Sequence, residues 1–152
     1  MFTVDASVHV SAQNPTEDGS DESRRFLARL YTRPWPVYSP TLLLVEVAAA
    51  LSRVFDDPDH AMASTRALQK LPGQIWTPLD EPLAEEAARF AADCRVRGSD
   101  AVYAAVARRY GTILVTLDRQ QLERLSPVLR TLRPAEALAQ LEEMERAQAK
   151  RD

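Results

Sequence analysis

Between Gly111 and Asp118 stands the hexapeptide TILVTL, uncharged throughout and rich in β-branched side chains. A short run with no polar alternation reads as a strand covered on both faces. Such a strand needs helices above and below, and the neighbouring segments supply them. Asp100 to Tyr110 reads as a helix with Ser99 as its cap, and Gly111 ends it in a left-handed conformation. A short helical stretch to Leu125 and a possible strand at Val128 to Leu132 follow.

The same alternation runs through the rest of the chain. Phe2 to Val4, Val37 to Ser39 and Gln74 to Thr77 are short strand candidates, and Asn14 to Asp21 is a loop rich in turn formers. Helices are expected over Glu22 to Tyr31, over Thr41 to Phe55 with Ser39 as cap and Pro40 in its first turn, and from Asp57-Pro58 to Leu71. Another starts at Asp80 and is broken at Arg97-Gly98. Strands alternating with helices predict an α/β fold with a mainly parallel sheet flanked by helices. Pro134 to Lys150 forms a final charged helix whose stripe of Leu138, Leu141 and Met144 is either core or a docking face.

The 152 residues, 45% hydrophobic with net charge −3, fit one globular domain. One cysteine, Cys94, excludes an intrachain disulfide and a cysteine-based zinc site. No apolar run approaches the ~20 residues that span a bilayer, so a soluble, cytoplasmic protein without a membrane partner is expected. The balance of charge does not announce a nucleic-acid binder. Yet 17 of the 19 basic residues are arginine, whose fork suits bidentate phosphate contacts; a biased genome composition would give the same ratio.

Chemistry gathers where strands end. In an open parallel sheet, functional groups collect beyond the carboxyl ends of strands. Asp5 follows the first strand and Asp118 the strand Ile113 to Leu117. Asp100 can join them, because a helix of about 11 residues carries the chain ~16 Å away from the rim and the next strand returns it by about as much. Glu46 sits between LLLV and VAAAL, an apolar setting in which a carboxylate needs water, a donor or a cation. Its side chain leans toward the helix N-terminus and the same rim. Each acid has an ordinary reading too: turn residues for Asp5 and Asp118, a helix-dipole partner for Asp100, and an exposed or arginine-paired side chain for Glu46.

With these residues in view, the sequence resembles the PIN-domain ribonuclease family, in particular the bacterial toxin nucleases called VapC. The likeness spans roughly residues 1–134, with 135–152 as a charged C-terminal helix and tail. It rests on VDASV, which carries Asp5, on TLLLVEV, which carries Glu46, and on GSDAVYAAVARRYGTILVTLD, which carries Asp100 and Asp118. The resemblance implies a PIN-like fold and hydrolysis of RNA to 5′-phosphate and 3′-hydroxyl ends. It implies metal contacts by Asp5 and Asp100, with Glu46 and Asp118 shaping the cluster or holding a second ion. Oxygen-only ligands suit Mg²⁺, or Mn²⁺ in its place. Ser7 corresponds to a common hydroxyl after the first acid, a candidate to position water, stabilise a loop or contact an RNA phosphate. Thr116, in the motif before Asp118, is a catalytic candidate that would contact an acid or the scissile phosphate. A turn hydrogen bond and a β-branched strand residue are their ordinary readings. Some relatives carry a further acid beyond the last motif, where this chain reads DRQQLERL.

Arg95, Arg97 and Arg119 flank the acidic motifs and are candidate RNA-phosphate contacts, with Arg24, Arg25 and Arg29 as an extension or a solvated face. A VapC-like toxin would pair with a small antitoxin protein, and a homodimer is expected. Competing readings are an RNA-processing nuclease without an antitoxin, a degenerate fold serving only as an interaction module, and an α/β phosphatase or receiver. The first motif lacks a D-x-D pair and no lysine accompanies the later acids, which weighs against the last. His9 and His60 define no common site and are assigned structural or surface roles.

Overall fold

The computed structural model describes residues 1–33 and 35–150. Its centre is a five-stranded sheet in the order β3-β2-β1-β4-β5, built from β1 (Phe2–Val4), β2 (Val37–Pro40), β3 (Gln74–Thr77), β4 (Ile113–Val115) and β5 (Thr131–Leu132). All four pairings are parallel, so the α/β architecture expected from the alternation of elements is the one observed. β1 lies in the middle: the chain leaves it toward β2 and β3 on one side, then crosses back to β4 and β5 on the other. Carboxyl ends on both sides of that reversal face one crevice.

Side chains of successive strand residues point to opposite faces, and the core divides accordingly. Phe2, Val4 and Val115 face α2 (Ser20–Tyr31) and α8 (Pro134–Ala149), packing with Phe26, Leu30, Ala137 and Leu141. Leu114 faces the other way, into the larger cluster formed by α3 (Leu42–Phe55), α4 (Pro58–Gln69), α5 (Glu81–Cys94) and α6 (Gly98–Tyr110). In α6 the residues from Asp100 to Ala107 are all buried. A helix shielded on every side places its polar groups under tight control, which matters for the acid it carries.

Several boundaries differ from the sequence expectation, each for a local reason. A six-residue helix, α1 (Ala6–Ser11), follows β1 directly, too short for apolar periodicity to reveal it. Ser39 is not a cap: it is buried in β2 and its hydroxyl donates to Gln74 Oε1 at 3.0 Å, while Pro40 closes the strand. α5 ends at Cys94, because Arg95 adopts a left-handed conformation with φ 55° without any glycine to signal it. α6 then starts at Gly98 with Arg97 in the capping position, so Ser99 lies inside its first turn. Gly111 does take the left-handed conformation, with φ 61°. After β4 the chain forms α7 (Arg119–Leu125), and the strand expected from Val128 shrinks to β5.

α8 is anchored to α2 by apolar and charged contacts together. Leu141 is fully buried, and the buried Glu145 accepts from Arg29 Nε at 3.0 Å. The stripe on this helix therefore serves as core. Residues 151 and 152 of the expected tail lie outside the described residues. Leu141→Ala should cost about 2–5 kcal/mol, the range for emptying a buried leucine site. Urea unfolding measures it, and a loss below about 0.5 kcal/mol, as at ordinary surface positions, would show that α8 is peripheral.

Candidate active site

The pairing of β1 with β4 sets the first contact at the sheet rim. Val4 is the register partner of Val115, so the next residues, Asp5 and Thr116, emerge side by side. The Asp5 amide continues the ladder by donating to the Val115 carbonyl at 2.9 Å. Asp5 also caps α1, and one of its oxygens, Oδ2, collects three bonds: from the Ser7 amide at 3.2 Å, the Ser7 hydroxyl at 2.5 Å and the Thr116 hydroxyl at 3.1 Å. Ser7 Oγ in turn accepts from the Leu117 amide at 3.1 Å, and Thr116 Oγ1 from the Asp118 amide at 3.0 Å. Two hydroxyls thus tie the ends of β1 and β4 together around one carboxylate.

Asp100 and Asp118 approach from the starts of two helices. Asp100 lies in the first turn of α6 and is buried; Asp118 caps α7 by accepting from the Gln121 amide at 3.0 Å. Gln121 Nε2 donates to Asp100 Oδ1 at 3.0 Å. Arg97 spans both acids, with Nε 3.0 Å from Asp100 Oδ2 and Nη2 2.5 Å from Asp118 Oδ2. Glu46, half-buried in the second turn of α3, accepts from the Tyr103 hydroxyl at 2.6 Å. Tyr103 stands one turn after Asp100 on the same helix, so α6 reaches two of the four acids.

Sequence reasoning missed Gln121 and Tyr103. Both are almost wholly inaccessible to solvent, and each places a neutral donor on an acid. Their only signal is spacing: a polar side chain three residues after each of Asp118 and Asp100. Arg95 and Arg119 are exposed; the Arg95 carbonyl accepts from Arg124, and Arg119 pairs with Glu123 at 2.7 Å. Arg24 and Arg29 are drawn to Asp21 and Glu145. His9 is buried, and burial lowers its pKa to about 4, so it is neutral at physiological pH. His60 packs edge-on against Phe55.

The acids perturb one another. Burial raises the Asp5 pKa above the ordinary carboxylate value; the Ser7 donors and the neighbouring Gln121 side chain oppose the rise, and the charge of Glu46 adds to it. Asp100 is also raised, chiefly by burial, against the lowering effect of Arg97 and with the charges of Asp5 and Asp118 adding to the rise. Tyr103 is held protonated by burial and by the same negative field. The structure thus gathers the four acids into one electrostatic neighbourhood. A groove of about 420 Å³ opens beside Ser7 and Glu46, bordered by Val10, Val45, Ala50 and Arg53.

Donor chemistry here suits a hard cation, because Asp5, Glu46, Asp100 and Asp118, with the Ser7 and Thr116 hydroxyls, offer oxygen atoms, beside the Gln121 carboxamide and the Arg97 guanidinium. Among the described residues, however, no three acidic, histidine or cysteine side chains already converge as a metal cage. Arg97 supplies positive charge between Asp100 and Asp118 instead.

The sequence profile of the PIN domain matches residues 2–126, from the start of β1 to the end of α7. The chain belongs to the PIN domain family. No curated protein matches its sequence. Solved structures resemble its fold. VapC20 of Mycobacterium tuberculosis, described as a sarcin-ricin loop cleaving toxin, superposes with a TM-score of 0.69 at 18% identity, covering 81% of this chain and 94% of that one. PAE2754 of Pyrobaculum aerophilum gives 0.66 at 21% identity, covering 93% and 95%. A toxin-antitoxin complex from Klebsiella pneumoniae gives 0.66 at 13%, covering 88% and 98%. At such identities the likeness speaks to the fold. Among the described residues no helix is long and apolar enough to cross a membrane.

The raised Asp5 pKa gives this PIN domain a testable pH dependence. A native carboxyl that holds its proton more tightly than the unfolded chain favours folding below the ordinary value of about 4, and that contribution is lost as pH rises through the native pKa. All three bonds to Asp5 end on Oδ2, so the amide of Asp5→Asn fits with its nitrogen in the other position. In chelator, Asp5→Asn should melt above the wild type at pH 7.5, with the gap closing as pH falls toward 4. A gap independent of pH in thermal melts would contradict the burial of a charged Asp5.

Proposed function

We propose that this PIN domain is a metal-dependent endoribonuclease and the toxin of a two-protein toxin–antitoxin pair, acting in the cytoplasm. One observation carries the reading: carboxylates from four separate segments share one rim, and two of them, Asp5 and Asp100, are buried where repulsion and desolvation oppose their full ionisation. Folding them together without a chemical use would be a net cost.

Asp5 and Asp100 would hold a Mg²⁺ or Mn²⁺ ion, with Glu46 and Asp118 completing the cluster or holding a second. Such an ion, when bound, supplies activation of a water and stabilisation of charge on the phosphoryl oxygens. The chain's own residues provide the positioning. Ser7 and Thr116 fix the Asp5 carboxylate from two sides, and Tyr103 fixes Glu46. Arg95 and Arg119 stand exposed near the acidic elements, where they would meet RNA phosphates. The groove beside Glu46 would admit a nucleotide next to the scissile bond. Exposed apolar side chains on α3 and α4, Val45, Val54, Phe55 and Met62, offer a face for a second copy or a small antitoxin. The toxin role draws on the folds of VapC20 and the Klebsiella complex, whose descriptions name those roles.

A second reading has its own observation. The Arg97 bridge neutralises two acids without metal, as a degenerate PIN domain kept for protein binding would require. Incubation of the purified protein with pooled RNA in Mg²⁺, Mn²⁺ or chelator separates the two. Internal cleavage to 5′-phosphate ends, lost in chelator and reduced about 10²-fold or more in Asp5→Asn and Asp100→Asn, is the expected result. Cleavage unaffected by chelator and by both substitutions would reject the metal site, and absence of cleavage with retained partner binding would favour the degenerate module. Arg119→Ala should weaken RNA binding and flatten its salt dependence by about 0.7 in log–log slope, the single-strand value for one lost phosphate contact. An unchanged slope rejects that contact.

A further inference from the structure

We infer that Arg97 is a built-in counter-cation: it occupies the space between Asp100 and Asp118 when no metal is present, and must swing out for a divalent ion to use those acids. The inference rests on the metal site proposed above and assigns to Arg97 a competition with the ion.

Three features carry it. The guanidinium uses two different nitrogens for two acids on two different helices, so it bridges the cluster where a cation between them would sit. Its anchoring is one-sided. The Arg97 side chain is 63% exposed, against 5% for Asp100 and 23% for Asp118, so the acids are fixed while the arginine is held only by its tip. Finally, Arg97 occupies the N-cap position of α6 with extended backbone angles and makes no side-chain capping bond, so rotation of its side chain leaves the helix start intact.

The exchange is physically direct. A guanidinium carries one charge on a wide plane, whereas a divalent ion brings two into a smaller volume and draws in oxygens from several acids at once. Release of Arg97 returns an already solvated side chain to water, at little desolvation cost. The freed group then lies beside the loaded acids, where an RNA phosphate would replace the carboxylates as its partner. The arginine thus has one anionic partner in each state, and metal loading presents it to the substrate.

Binding of Mn²⁺ alone, followed by the electron paramagnetic resonance signal of the free ion, tests this without RNA or turnover. The proteins are wild type, Arg97→Met, Arg97→Lys and Asp100→Asn. If the bridge leaves the open state about one part in ten populated, Arg97→Met should bind Mn²⁺ about 10-fold more tightly than wild type. Arg97→Lys keeps the charge but cannot span both acids and should fall between them, which decides the matter if the methionine variant folds poorly. In chelator, Arg97→Met should melt below wild type, with saturating Mn²⁺ closing the gap. Affinity unchanged or weakened in both Arg97 variants, with binding still lost in Asp100→Asn, overturns the inference and leaves the metal site standing. Failure of wild type and Arg97 variants alike to bind Mn²⁺, or equal binding by Asp100→Asn, overturns the metal site and the inference with it.

Discussion

Parallel pairing of β1 with β4 is the constraint on which the site depends. Their register places Asp5 beside Thr116, and the hydrogen-bonded ladder runs to the last residue before the chain turns away. Slippage by one residue would send each side chain of a strand to the opposite face, moving Phe2 and Val4 out of one core layer. The apolar packing on both faces therefore fixes the chemistry at the rim. Ser7 reinforces the same junction, since its single hydroxyl donates to Asp5 and accepts from the Leu117 amide.

Like charges at that rim are offset by donors of graded strength. Asp5 receives hydroxyls and an amide, Asp100 a carboxamide and a guanidinium, and Glu46 a phenol. Neutral donors orient a carboxylate without cancelling its charge. Among the described residues only Arg97 cancels charge within the cluster, and it is also the most exposed member. The gradient runs from permanent orientation in the interior to replaceable neutralisation at the surface.

Much of this arrangement was legible from strand ends. Uncharged runs gave the strands, and the acids after Val4 and Leu117 marked the rim, because topology converts sequence order into position in a parallel sheet. What stayed hidden was decided by tertiary contacts. The left-handed Arg95 carries no glycine or asparagine to announce it, and α1 is too short to show a period. Ser39 and Ser99 have the composition of caps, but one is consumed by a bond to Gln74 and the other falls inside a helix already begun at Gly98. Gln121 and Tyr103 read as ordinary helix residues until neighbouring elements bring acids to them. The Arg97 bridge depends on a side-chain torsion, which sequence spacing does not specify.

α6 has a mechanical consequence of its own. Asp100 and Tyr103 project from the buried stretch of one helix, the first into the cluster directly and the second through Glu46. Each helical residue advances the azimuth by about 100°, so a single inserted residue between them would put the two groups out of phase. Lengthening the surface turn at Asn14 to Gly19 would leave the phase of the four acids unchanged, although Glu17 in that turn lines the groove beside Glu46. Evolutionary change in chain length should accordingly be absorbed by the loops and excluded from this helix.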